Sequence, residues 1–338
     1  MKTASQTALS MLDLVAVREG GTVAQALQIA LQTAQHAERL GFSRYWLAEH
    51  HNMDGVASSA TSVLVGYLAA GTKTIRVGSG GVMLPNHAPL VIAEQFGTLA
   101  TPYPGRIDLG LGRAPGTDQM TMRALRRSLT TQSEDDFIGD VIELAEYFQP
   151  PANERRPVRA IPGIGCEVPI WLLGSSTYSA QVAAHLGYPF AFASHFAPAL
   201  SMQALAIYRA RFKPNGQPGA LTKPYAAVAV NVIAADTDDE AAYLFTSLQQ
   251  RFLAMQTGKR GPLPRPIPVA QMNALGSPAE RAGMEQMLTV TAVGSPQTVR
   301  QQLNEIIAQT QADEIIVAGA VHEHAARKRS YELVAGLE

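Results

Sequence analysis

The sequence predicts a (β/α)8 barrel with an insertion before the last βα unit. Three observations predict it. Apolar segments of strand length alternate with helical patterns along most of the 338 residues. Eight such segments can be placed, each with a helix behind it. The segments are apolar throughout, as in Ile170-Trp171-Leu172-Leu173 and Ile315-Ile316-Val317, which marks parallel strands buried on both faces. A doubly wound sheet is the alternative that shares this alternation. The length suits one large barrel, and residues 1–338 read as a single domain.

The first strand falls at 8–14. Val23, Leu27, Leu31 and Ala34 recur behind it at helical spacing, and Gly41 is placed to end that helix. Residues 45–47 form the second strand, followed by an alanine-rich helix over 58–70. The third strand covers 75–84 and its helix 89–99. The fourth covers 107–111. A polar, arginine-rich stretch at 117–133 separates it from a helix at 137–148. Pro150, Pro151, Pro157 and Pro162 mark a surface connection. The fifth strand, 169–173, leads to a helix at 179–186 with Gly187 past its end. The sixth, 190–193, precedes a helix at 199–212; the seventh, 225–235, precedes one starting near Asp238. Residues 255–290 fit neither repeat. Rich in Pro, Gly, Met and Gln, they read as an insertion, either a lid or a surface excursion. Ser295 and Pro296 form a cap and first turn for a helix carrying Val299, Leu303, Ile306 and Ile307. The eighth strand is 314–317 and the last helix 323–334.

Composition narrows the function. A net charge of −1 gives no broad basic face for nucleic acid, so local groups must hold any anionic ligand. The single cysteine, Cys166, excludes an intrachain disulfide framework and a multi-cysteine zinc site. No apolar run reaches the roughly 18 residues of a membrane span, and the polar start lacks a signal-peptide pattern. The expectation is a cytoplasmic chain with no nucleic-acid or membrane partner.

In a barrel, the site lies where strands end and loops begin. The second strand ends in Glu49-His50-His51, the third in Ser79-Gly80-Gly81, the fourth in Gly112-Arg113, the fifth in Gly174-Ser175-Ser176 and the sixth in Ser194-His195. Gly110 and Gly112 begin a dinucleotide fingerprint, but the third glycine, Gly116, comes one residue late and Pro115 precedes it, so this turn is read only as near phosphate. Gly174-Ser175-Ser176 feeds into a helix that Ser179 also opens. Exposed N–H groups and hydroxyls there suit phosphate, and helix capping by a serine is the plainer reading. Gly80-Gly81 removes side chains where a flat ring can approach, and a cis peptide is possible there. His50 and His51 diverge on an extended segment, so one shared metal ion is unfavourable, and no metal site is expected. His50 suits general acid–base work. His322 and His324 open the last helix as a metal-like pair or as surface residues, and His195 either lines the site or packs beneath it.

Trp46-Leu47-Ala48-Glu49-His50-His51, Val77-Gly78-Ser79-Gly80-Gly81-Val82-Met83-Leu84-Pro85, Tyr103-Pro104-Gly105-Arg106-Ile107-Asp108-Leu109-Gly110-Leu111-Gly112-Arg113 and Val293-Gly294-Ser295-Pro296 resemble the bacterial luciferase-like monooxygenases, in order and over nearly the whole chain. The resemblance implies FMN at the C-terminal rim, supplied reduced by a separate flavin reductase, with O2 and a small apolar or aldehyde substrate. It implies a catalytic role for His50, with His51 beside it. It puts Ser79, Gly80 and Gly81 against the flavin ring, the glycine pair joined by a cis peptide. It puts Gly112 beside the ring and Arg113, Gly174, Ser175, Ser176 and Ser179 about the FMN phosphate. Substrate would enter beside Leu12, Met83 and the 255–290 segment. Gly112 replaces a reactive cysteine of the luciferases, which argues against light emission, and Ser175 replaces a glutamate, which leaves the detail of phosphate binding open. The resemblance also implies a homodimer, for which the 58–70 helix could serve. A flavin- or deazaflavin-dependent dehydrogenase and a non-catalytic flavin-binding protein are the alternatives.

Overall fold

The computed structural model describes residues 3–114, 116–125, 134–150, 157–216 and 220–337. Pro115, Pro151 and residues 126–133 of the arginine-rich stretch lie outside these. The strands are β1 (Ala8–Asp13), β2 (Arg44–Leu47), β3 (Arg76–Met83), β4 (Ile107–Gly112), β5 (Ile170–Gly174), β6 (Phe190–Phe192), β7 (Ala226–Ala234), β8 (Thr291–Gly294) and β9 (Glu314–Ala318). Strands β1 to β7 follow one another in chain order, and β9 closes the ring by pairing with both β7 and β1. All these pairings are parallel, so the chain is a (β/α)8 barrel. The eight strands expected from the sequence are these eight. Strand β8 was not expected. It pairs only with the far half of β7, Asn231 opposite Thr291 through Ala234 opposite Gly294. Four residues long and with little apolar character, it gives almost no signal of its own.

The helices are α1 (Val23–Arg39), α2 (Thr61–Ala70), α3 (Pro89–Ala100), α4 (Gln119–Leu125), α5 (Glu134–Phe148), α6 (Thr177–Leu186), α7 (Ser201–Arg211), α8 (Asp238–Gln256), α9 (Val269–Asn273), α10 (Pro278–Met287), α11 (Pro296–Thr310) and α12 (His324–Ala335). Local chemistry sets their ends. Thr22 and Gln25 form a capping box at α1, and Gly41 turns the chain out with φ +80°. Thr237 caps α8, and Asp238, Asp239 and Glu240 place negative charge in its first turn. Ser295 is the N-cap of α11 with Pro296 behind it, as expected, but it makes no side-chain capping bond. Its hydroxyl meets Thr298 Oγ1 at 3.1 Å rather than a helix N–H, and its own N–H donates to Asp238 Oδ1 at 2.6 Å.

The main core lies between the barrel's outer face and its helices. A second apolar cluster fills the barrel interior, where Trp46 and Trp171 meet edge-on at 5.1 Å among Ala191, Ala227, Ala229 and Ile316. The strands' N-terminal ends carry a charged plug beneath it. Arg44 bridges Asp108 at 2.8 Å and Glu314 at 2.7 Å, Arg76 bridges Asp108 at 2.5 Å, and the Trp46 indole donates to Asp108 at 3.2 Å. The barrel is therefore closed below and opens at the strands' C-terminal ends.

The 255–290 stretch holds more regular structure than the sequence reading allowed. Helix α8 runs into it, and α9 and α10 follow. Ser277 and Glu280 make a capping box with Pro278 at the first helical position, a signal present in the sequence. Met272 and Met284 pack with Leu248 and Phe252 of α8 into a third apolar cluster.

Candidate functional site

A cavity of about 850 Å³ occupies the C-terminal mouth. His50, Gly80, Gly81, Gly112, Arg113, Gly174, Ser175, Ser176, Ser179 and His195 line it, together with Leu12 and Met83. His51 and Ser79 do not face it. Ser79 is fully buried, where its hydroxyl donates to the Gly110 carbonyl at 2.9 Å and accepts from the Gly110 N–H at 3.0 Å. That exchange fastens β3 to β4 just before the register shift between Ser79 and Val82.

The glycines are there because backbone comes close. The Gly80–Gly81 bond is cis. A Cβ on Gly81 would stand 2.7 Å from the Gly110 carbonyl oxygen, and one on Gly80 2.9 Å from Leu12 and from Trp46. Across the mouth, a Cβ on Gly174 would meet the Ser179 hydroxyl at 2.0 Å. Ser176 is the N-cap of α6, accepting from the Ser179 N–H, while the Ser179 hydroxyl donates to the Ser176 carbonyl at 2.9 Å. The capping reading of this turn is therefore realised, and Ser175, Ser176 and Ser179 of the same turn line the cavity. Arg113 stacks 4.3 Å above the Tyr178 ring in the first turn of α6, so the guanidinium and the helix N-terminus form one anion-attracting corner.

His50 stands in the neighbouring wall. Its Nδ1 lies 3.2 Å from the Gly116 carbonyl oxygen. A carbonyl only accepts, so Nδ1 carries the proton and Nε2 is left as the basic nitrogen. Burial pushes the imidazole below its ordinary value of 6.5, the Gly116 carbonyl opposes this and Arg251 reinforces it. His50 is thus a neutral base near pH 7. His195 also lines the cavity. Burial and His50 together lower it to about 4, and among the described residues its buried Nδ1 has no partner.

His50 and His51 do diverge. His51 turns away and donates to Glu49 Oε1 at 2.9 Å, the oxygen that His87 also approaches at 2.9 Å. Among the described residues, Glu49, His51 and His87 form the one cluster that could hold a metal ion. His87 arrives from another loop, so the sequence did not pair it with His51. The two imidazoles, the Asn86 amide and the Met83 N–H all donate to this carboxylate. Although burial pushes Glu49 up, these hydrogen bonds hold it below the usual carboxylate range.

Three features of the wall escaped the sequence reading. Arg251 reaches it from α8. His324 is no surface residue, since it lines the cavity and both its ring nitrogens are buried and, among the described residues, unpartnered. Residues 259–264 roof the mouth and are tied down there. Leu263 exchanges backbone hydrogen bonds of 2.8 Å with Val17 and Glu19, and the Gly261 carbonyl stands 2.0 Å from where a Cβ on Gly55 would be. A tether between segments so distant in sequence has no local signature.

A parallel barrel thus gathers a guanidinium beside a helix N-terminus, three glycines and a neutral imidazole on one cavity at its mouth. The comparisons give the class. The luciferase-like monooxygenase family model matches residues 7–314, and the chain belongs to that family. It is 55% identical over 327 residues to a luciferase-like monooxygenase of Escherichia coli (strain K12), covering 96% of this chain and 95% of that one. It is 38% identical over 254 residues to the N-acetyl-S-alkylcysteine monooxygenase of Bacillus subtilis (strain 168), covering 75% of each. Among solved structures, apo-MsnO8 superposes with a TM-score of 0.90 at 36% identity over 98% of both chains. The chain is thus an enzyme of the monooxygenase class. Among its described residues no helix is long and apolar enough to cross a membrane.

Proposed function

We propose that the chain is a two-component monooxygenase that receives reduced FMN from a separate flavin reductase and, with O2, oxygenates a small, largely apolar substrate such as an aldehyde or thioether. The observation that carries this reading is the convergence of Arg113 and the α6 N-terminus, the Gly80–Gly81 peptide and His50 on one cavity. The residues fit the cofactor. A dianionic phosphate needs N–H donors and a cation, which the α6 corner supplies, and a planar ring needs wall without side chains, which Gly80, Gly81 and Gly112 supply. Reduced FMN, when bound, supplies the electrons that activate O2. The protein's part is position, dryness and proton control. Leu12, Leu14, Met53, Val56 and Phe252 keep water from the reacting face, and the basic Nε2 of His50 takes or returns a proton there. The thioether option follows from the substrate named in the Bacillus subtilis relative.

No NAD(P)H fingerprint occurs in the sequence, which supports a separate reductase. We further propose a homodimer through α2 and α3, where Val63 is 69% and Val91 43% exposed beside Tyr67. A cytoplasmic location accords with the reading. The test is oxygen uptake with a supplied flavin reductase, FMN and a panel of small aldehydes and thioethers. Substrate-dependent uptake is expected, and His50→Ala should lower turnover about 100- to 10,000-fold. No uptake above the reductase's own rate with any substrate, or full activity in His50→Ala, would overturn it.

A further inference from the structure

We infer that the substrate of this cavity carries a carboxylate and that Arg251 binds it, an inference that rests on the monooxygenase reading. Arg251 projects from the last two turns of α8 into the cavity wall. It is only partly accessible, yet among the described residues its guanidinium has no hydrogen bond and no ion pair. A largely buried guanidinium without an anion is unfavourable unless a ligand supplies the opposite charge.

The protein's own groups do not supply it. Asp13 is the one carboxylate among the described lining residues, and it is committed elsewhere. It pairs with Arg327 at 3.1 Å, accepts the Val15 N–H at 2.9 Å and accepts the Tyr45 hydroxyl. The other cations nearby are engaged or solvated. Arg18 donates to the His322 carbonyl at 2.9 Å, Arg327 holds Asp13, and Lys259 and Arg260 are exposed. Arg251 is the uncommitted one.

Nor does the phosphate corner account for Arg251. In an eight-strand ring, β5 and β1 stand on opposite sides. The phosphate corner belongs to β4, β5 and α6. Arg251 belongs to the β1 side, where Asp13 ends β1 and His50 follows β2, and each feels its charge or acts on it. The same cavity is lined by the apolar side chains of Leu14, Met53, Val56, Phe252 and Met255. His195 and His324 also line this cavity, and among the described residues His195 Nδ1 and both His324 nitrogens have no hydrogen-bond partner. The chemistry recognised is an apolar body with one carboxylate, gripped by a planar two-pronged donor and held with its far end toward His50 and the ring slot.

Octanoate and octanamide test this, since they share a chain and differ in charge. Each is titrated by calorimetry into the full chain, with and without FMN. The wild type should bind octanoate at least about tenfold more tightly, the scale of one charge-assisted contact. Arg251→Gln should abolish that preference and Arg251→Lys should retain part of it, with thermal melts confirming that each variant folds. Equal binding of acid and amide by the wild type overturns the inference whatever the variants do. So does an acid preference that survives in Arg251→Gln, and so does an Arg251→Lys that folds but shows no preference. A chain that discriminates the acid but never binds FMN would refute the flavin reading, not the acid site.

Discussion

Adjacent histidines at the end of β2 do different work because alternate side chains on an extended segment point to opposite sides. His50 meets the cavity, and His51 turns to Glu49 and stiffens the loop behind it. The place of His50 and Arg113 on one cavity was legible because barrel logic sends strand-end residues to one rim. The site outside Ser79 and His51 was placed on the cavity by the same logic. Ser79 was not read correctly for position from sequence, because one residue of register turns a side chain from the mouth into the β3–β4 ladder. Two predictions belong at this scale. His195 is lowered to about 4 from an ordinary 6.5, so the unfolded chain takes up a proton that the folded chain refuses. That contribution to stability is complete above pH 6.5 and is lost as pH falls toward 4. Thermal melts should show this decline, and His195→Asn should flatten it. Asp108 has no exposed surface and serves Arg44, Arg76 and Trp46. Asp108→Asn should cost about 1–3 kcal/mol in denaturant unfolding, since it takes a hydrogen-bonded anion from the partly exposed Arg44 and Arg76; no measurable loss would remove the plug from the account.

Among elements, β3 and β4 matter most to the site. Gly78, Gly81 and Gly110 let the two backbones approach closely, and Gly80, Gly81 and Gly112 bring peptide rather than side chain to the mouth. Gly81→Ala should destabilise the fold by about 1–3 kcal/mol and weaken FMN binding together, because the Gly110 carbonyl is a ladder group that cannot step aside. The roof at 259–264 is the element that sequence reading resolved least. Its length and composition suggested an insertion, but its anchors, Val17, Glu19 and Gly55, lie some two hundred residues away in the chain, as the Leu263 hydrogen bonds show. Gly55→Val should push the Gly261 carbonyl off its seat and speed FMN exchange, measurable by stopped-flow fluorescence. An unchanged exchange rate would make the roof irrelevant to access.

For the whole molecule, the order of strands decides what faces what. A ring closed by β9 on β7 and β1 sets the anion corner of β5 across from Asp13, with His50 and the glycine slot between them. That order was legible because each strand is short, apolar and followed by a helix, while β8 was not, since it lies outside the repeat. Assembly is decided at this scale as well. Light scattering should give twice the 36.1 kDa chain mass, and Val63→Asp should return it to one. The central claim, that the Arg113–α6 corner holds a flavin phosphate, is met most directly by titrating FMN and riboflavin into the wild type and Arg113→Ala. FMN should bind the wild type at least about tenfold more tightly than riboflavin, as expected of charge-assisted bonds to a phosphate, and the gap should close in Arg113→Ala. Equal affinity for the two flavins, or a gap that survives the loss of Arg113, would contradict it.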